Sequence, residues 1–332
     1  MCIAPGSALK TGIMKALVAK EKGSFANLEV RDDRPAPEVV EPRDVVVKVE
    51  SAALNPVDWK MLMFDFYVKQ WPHVFGCDMA GTIKALGDGA YEAGFRVGDR
   101  VWAYTSLGDF HSGTLAELVK VPCEFLGRVP EGMGFDEAST IGVGVLTAAM
   151  LYFSGCKGAD VNYLVYGASS AVGQFAVQIA KLEGKKVVAV ASKASHEMLK
   201  GLGADVVIDY HDEGWQDAVI SALGAESGAA AMDPIGTDDT LAACRAIVKA
   251  CGGSTVATTE TNYKSSIDDG VAVVPVNLGS VYDSPELHDE VAPYMKPIGA
   301  WLAEGKLKTI AVRVAGGLSD VPKAFQEMME GK

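Results

Sequence analysis

The chain has 332 residues, 49% of them hydrophobic and 22% charged, enough material for two cores and too apolar for long disorder. Its formal charge of −13 at pH 7 repels nucleic-acid phosphates and anionic lipid, and no basic stripe reverses this locally, so neither nucleic acid nor membrane is expected as a partner. No apolar run approaches the roughly 18 residues of a membrane span and the first residues lack the apolar core of a secretory signal, which makes a cytoplasmic location the expectation.

Residues 1–13 form an extension without a usable pattern. Short β-branched runs then follow at 14–18, 28–30, 44–49, 80–86 and 99–104, punctuated by Gly, Pro and Asp. They predict an all-β lobe over 14–134. From Phe135 the pattern changes, and apolar runs of strand length alternate with stretches of helical period, as in βαβ units. Strands are predicted at 163–166, 186–191, 205–209, 229–233, 254–258 and 271–276, with crossover helices at 172–183, 196–202, 215–223 and 239–251. Six strands with intervening helices predict a doubly wound parallel sheet, a Rossmann domain over 135–304. A helical segment at 287–304 precedes a strand-like run at 309–314 and an amphipathic helix at 320–329, and this tail, 305–332, is expected to return to the β lobe.

The first parallel strand runs into Gly167, Ala168, Ser169, Ser170, Ala171, Val172 and Gly173 as a helix opens. Residues this small let the backbone and the helix N-terminus approach a pyrophosphate, which free N–H groups and the helix dipole stabilise. The turn departs from G-x-G-x-x-G, since Ala168 and Ser170 stand where the first two glycines would be and only Gly173, the one needed for close helix-to-strand packing, is kept. A tight structural turn alone could use the same residues. At the end of the second strand, where a site for NAD would place an acid on the ribose hydroxyls, stand Ser192 and Lys193. A carboxylate would repel a 2′-phosphate, whereas a hydroxyl and an ammonium hold one, so NADPH is the expected cofactor.

In combination the sequence resembles the medium-chain dehydrogenase/reductase superfamily, on its quinone reductase and trans-acting enoyl reductase side. The resemblance rests on Asn55-Pro56-Val57-Asp58-Trp59-Lys60, Gly76-Cys77-Asp78-Met79-Ala80-Gly81, Val97-Gly98-Asp99-Arg100-Val101, the turn from Tyr166 to Gly173, Leu202-Gly203-Ala204-Asp205, Ile208-Asp209-Tyr210, Met232-Asp233-Pro234-Ile235-Gly236 and Gly305-Lys306-Leu307. It implies a GroES-like β-barrel catalytic domain beside the Rossmann domain, with a substrate cleft between them, and a homodimer formed through the edge of the Rossmann sheet. It also implies that Ser192, Lys193 and Tyr210 surround the 2′-phosphate, that Thr147 contacts the nicotinamide, and that Asn55 and Lys60 border it.

Zinc-dependent alcohol dehydrogenases carry a cysteine where Asn55 stands, a His-Glu pair where Cys77-Asp78 stands, and a four-cysteine loop that is absent after Tyr104. Cys77 and Asp78 are too few for the three protein ligands of a catalytic zinc, so no metal is expected. The six cysteines, Cys2, Cys77, Cys123, Cys156, Cys244 and Cys251, form no C-x-x-C pair. Relatives continue past a Gly-Lys with a last strand, whereas this sequence stops at Gly331-Lys332, so a missing edge strand is expected.

Without a metal to polarise a carbonyl, the chemistry suits a conjugated C=C or a quinone, where hydride addition gives a delocalised oxyanion that hydrogen-bond donors stabilise. Lys60 is the first candidate for anchoring the small-molecule substrate or supplying the proton, and Tyr67 the second; Lys60 could equally be a surface lysine packed on Trp59, and Asn55-Pro56 could simply build a turn. Phe64, Phe66, Tyr67 and Trp71 either line an apolar pocket or fill the lobe core, and the stretch 259–284 is the other candidate pocket loop. The leading expectation is reduction of an enone, enal or enoyl thioester. Quinone reduction and NADPH binding without turnover are the alternatives, and service to a polyketide synthase in trans would require a docking surface that no motif identifies.

Overall fold

The computed structural model describes residues 12–156, 161–260 and 270–331. Cys2, the start of the N-terminal extension and positions 261–269 of the 259–284 stretch lie outside the described residues. The chain divides into two compact units. The first runs to Val143 and takes in Gly279–Ala303 and the residues from Thr309 on; the second comprises Gly144–Leu278 and Glu304–Lys308. The sequence expectation assigned 279–303 to the Rossmann domain, and the structure groups it with the β unit.

The β unit is built from strands β1 (Ile13–Ala19), β2 (Leu28–Pro35), β3 (Asp44–Ala53), β4 (His73–Val74), β5 (Asp78–Leu86), β6 (Arg100–Tyr104), β7 (Leu118–Pro122) and β8 (Leu126–Arg128). They form a three-stranded sheet in the order β2-β1-β4 and a five-stranded antiparallel sheet in the order β7-β3-β5-β6-β8. Val45, Val46, Val47, Met79, Ile83, Trp102 and Phe125 are buried and supply its core. Register places Asp78, the first residue of β5, between Ala53 at the end of β3 and Tyr104 at the end of β6.

Asn55-Pro56 starts a helix, Pro56–Phe64. Proline suits the first turn, where its missing N–H has no helical partner to lose. The reading of this pair as a plain turn is therefore corrected. The strand expected at 309–314 is absent as well: the segment is irregular, with Val312 and Val314 exposed, and it pairs with no strand among the described residues. Apolar alternation without a neighbour to take its N–H and C=O groups does not make a strand.

The second unit carries β9 (Asn162–Tyr166), β10 (Val187–Val190), β11 (Val206–Ile208), β12 (Ala229–Asp233), β13 (Thr255–Thr258) and β14 (Ala272–Pro275), all parallel. Their order, β11-β10-β9-β12-β13-β14, is that of the doubly wound nucleotide-binding sheet, with its switch point between β9 and β12. Leu164, Val188, Val190 and Val256 of the strands pack into one core with Val219 and Leu223 of the helix Trp215–Leu223 and Leu241 and Ile247 of the helix Asp238–Ala250. Among the described residues no helix is long and apolar enough to cross a membrane.

Candidate functional site

In the second unit the turn after β9 stands at the switch point, where open α/β sheets bind their ligands. Gly167 adopts φ +61°, a conformation that disfavours a side chain. A Cβ on Gly173 would lie 2.4 Å from the Gly167 carbonyl oxygen and 2.7 Å from Ala168 Cα, so helix and strand meet here as closely as backbone allows. Ser170 caps the Ala171–Leu182 helix by accepting the Gly173 N–H at 3.0 Å, and the Gln174 amide donates to the Ser169 carbonyl at 2.9 Å. The first N–H groups of this 12-residue helix have no carbonyl partner within it. Gly167, Ser169, Ser170, Ala171, Val172 and Gly173 thus form a side-chain-poor cradle that fits a pyrophosphate.

Across β12, Asp233 closes the facing loop. Its Oδ1 accepts the N–H groups of Ile235 and Gly236, and its Oδ2 accepts the Thr240 hydroxyl at 2.8 Å. Burial nevertheless raises this carboxyl above the usual range. Thr147 lies on the Gly142–Ala149 helix and is buried.

At the end of β10, Ser192 is half-buried and Lys193 exposed. The Lys193 N–H donates to Asp209 Oδ2 at 2.9 Å, which fixes this turn against the end of β11. Tyr210 follows, 42% exposed, its ring between those of Tyr166 and His211 at centroid distances of 6.5 and 4.1 Å. Ser192, Lys193 and Tyr210, which the resemblance groups, stand in the turns that follow the adjacent strands β10 and β11, at one end of the sheet. Asp209 and His211 were not singled out by sequence reasoning. The only signal was the Ile208-Asp209-Tyr210 motif, which does not show what the acid bonds.

The β unit holds its polar cluster around the β5 start. Asn55 Nδ2 donates to Asp78 Oδ2 at 3.0 Å and lies 3.8 Å from Cys77 Sγ; the Val143 N–H donates to Asp78 Oδ1 at 2.8 Å; the Asn55 N–H donates to Asp58 Oδ2 at 2.7 Å. Burial pushes Asp58 up to about 7 and Asp78 up to about 8, while these donors oppose the rise, and burial drives the Cys77 thiol well up too. Among the described residues no group of three or more His, Cys, Asp or Glu side chains is placed to hold a metal ion. The Asn55 amide is tied into this network through its bond to Asp78.

Lys60 is exposed, with its Nζ 5.8 Å from the Trp59 ring centroid. Tyr67 adopts φ +61°, a strained value for a tyrosine, and two glycines accommodate it. A Cβ on Gly108 would stand 1.8 Å from the Tyr67 carbonyl oxygen, and one on Gly279 would stand 2.6 Å from the phenolic oxygen. Phe64 and Phe66 are 68% and 36% exposed, so they are not lobe core, and Trp71 is half-buried. Tyr104 and Tyr282, missed in the sequence, stack at 5.7 Å beside this region, with the Tyr282 hydroxyl donating to the Tyr104 carbonyl at 2.6 Å.

Comparison with known proteins agrees with this anatomy. Residues 41–131 match the alcohol dehydrogenase GroES-like domain family, and residues 171–290 match the family described as zinc-binding dehydrogenase. A trans-enoyl reductase of Alternaria alternata is 30% identical over 96% of this chain and 96% of its own. One of Cochliobolus carbonum is 35% identical over 51% of this chain, and there the chain spans only 59% of the relative. Among solved structures, a probable oxidoreductase from Mycobacterium abscessus superposes with a TM-score of 0.75 at 28% identity, covering 97% of this chain and 96% of that one.

Proposed function

The chain belongs to the medium-chain dehydrogenase/reductase superfamily, on its enoyl reductase-like branch, and from that premise we propose that it is a zinc-independent, NADPH-dependent reductase of conjugated carbon–carbon double bonds, with an enoyl thioester as its first substrate class. It is an oxidoreductase of a superfamily that uses nicotinamide cofactors. The observation that carries the substrate class is the end-to-end similarity to a trans-enoyl reductase over 96% of both chains.

The nicotinamide supplies a hydride when bound. The alkene carbon β to the carbonyl takes it up, the π electrons move to the carbonyl oxygen, and the α carbon is protonated from the protein or from water. In this reading the Lys60 ammonium anchors the carbonyl oxygen and stabilises its developing charge, a role that needs a donor aimed at the oxyanion and no metal. Tyr67, clamped between two glycines, is the second candidate proton source. Asn55, Asp58, Cys77 and Asp78 hold the base of the helix that carries Lys60, and their mutual bonds support the zinc-free reading. Lys193 and Ser192, which stand at the end of β10 where an NAD site carries an acid, support NADPH over NADH.

The decisive experiment compares a crotonyl thioester, a 2-alkenal and a quinone as acceptors with NADPH and with NADH, alongside elemental analysis of the purified protein. The thioester with NADPH is expected to have the highest kcat/KM. Faster turnover of the quinone, or stoichiometric zinc, would overturn the proposal, and binding without any turnover would reassign the protein to a non-catalytic role.

A further inference from the structure

The adenosine end of the nucleotide unit contains an acid in a place where, by charge alone, it should select the wrong cofactor. Asp209 is largely buried at the end of β11, and its Oδ2 is bonded to the backbone of Lys193. A carboxylate with a free oxygen in contact with this turn would accept a ribose 2′-hydroxyl and repel a 2′-phosphate. Its other oxygen is not free. Asp209 Oδ1 accepts the His211 N–H at 2.9 Å and pairs with His211 Nδ1 at 2.7 Å. The imidazole is held in that pose by its stack on Tyr210, 4.1 Å between centroids at 34°. The side chain of His211 is otherwise 63% exposed, so it is not ordered by burial in a core.

Resting on the NADPH reading above, we propose that His211 is a specificity-determining residue: by engaging Asp209 it withdraws that acid from the ribose and leaves Lys193 and Ser192 to receive the 2′-phosphate. Asp209 is then a positioning residue. The hydrogen bonds that it accepts, from the His211 backbone first, hold its carboxyl below the ordinary range, so it stays ionised and needs an adjacent donor to mask it. The two residues meet in the turn that follows β11, where the backbone N–H and the ring of His211 both reach the same carboxylate oxygen.

Isothermal titration of the full chain with 2′,5′-ADP and with 5′-AMP separates this inference from the reading beneath it. Wild type is expected to prefer 2′,5′-ADP, and Lys193→Glu to abolish that preference; failure of either removes the NADPH reading. His211→Ala is expected to lower the ratio of the two affinities by about tenfold, the worth of one charge-assisted hydrogen bond, weakening 2′,5′-ADP and tightening 5′-AMP. His211→Asn, whose amide nitrogen can take the place of Nδ1, is expected to keep most of the wild-type ratio. An unchanged ratio in His211→Ala, or equal losses in both variants, overturns the role of His211 while leaving the Lys193 result standing.

Discussion

Asp58 lies wholly within the β unit, and its Oδ1 has no hydrogen-bond partner. Burial pushes it up to about 7, and Asp78 up to about 8, against about 3.9 for an unfolded aspartate. Between pH ~4 and those values the folded chain keeps protons that the unfolded chain has released, so stability falls as pH rises through this window and levels off above it. Urea midpoints are expected to drop from pH 5 to pH 8 in wild type. Asp58→Asn, a neutral side chain of the same shape, should reduce that slope and raise the midpoint at pH 8. A variant with the wild-type slope would show that Asp58 does not hold the proton. Lys60 is the other residue that calls for a direct test. If its ammonium meets the substrate oxygen, Lys60→Ala lowers kcat by about tenfold or more with NADPH affinity unchanged; full turnover would make it a surface lysine packed on Trp59. Lys193 was legible in the sequence because a strand end can be counted. Asp209 and His211 were not, because the bond from residue 193 to residue 209 exists only once β10 and β11 lie side by side.

β10 was readable because its valine-rich run, Val187–Val190, is largely β-branched and falls within the expected 186–191, whereas β12, Ala-Ala-Ala-Met-Asp, has no β-branched residue and was read at 229–233 from its apolar run of strand length. The two-residue β4 and the three-residue β8 carry too little pattern to be seen, and they are strands only through their partners β1 and β6. The turn after β9 was legible from residue size alone, and the structure explains which small residue matters most. At Gly173 an added methyl meets backbone on the Gly167 side, atoms that cannot rotate away. Gly173→Ala is therefore expected to open the turn, weaken NADPH binding at least about tenfold in a fluorescence titration and lower Tm. Gly184→Ala is the control. It has φ +74° but nothing within 4 Å of the new Cβ, so it should cost about 1–2 kcal/mol of stability, the strain of an L side chain in the left-handed region, and leave nucleotide affinity intact. Wild-type affinity in Gly173→Ala would show that the turn does not hold the pyrophosphate.

At the scale of the whole molecule, two perturbations act on different parts of the chain. The acids with the largest upward shifts, Asp58 and Asp78, belong to the β unit, whereas the turn, Lys193 and Asp209 belong to the second. Raising the pH should therefore destabilise the first unit, while a bound dinucleotide stabilises the second by RT ln(1 + [L]/Kd), about 2.7 kcal/mol at a hundredfold excess over Kd. For units of this size that corresponds to a rise of roughly 5–10 °C in Tm. In calorimetric scans at pH 5.5 without ligand and at pH 8.5 with NADPH, the two conditions should draw the transitions apart: the pH-sensitive one moves down and the NADPH-sensitive one moves up. If Lys193 and Ser192 receive the 2′-phosphate as proposed, NADH at the same concentration should move the second transition less, since it lacks that phosphate. One transition that shifts as a whole under both perturbations would mean that the units unfold together, and equal stabilisation by NADH and NADPH would remove the 2′-phosphate from the account of the site.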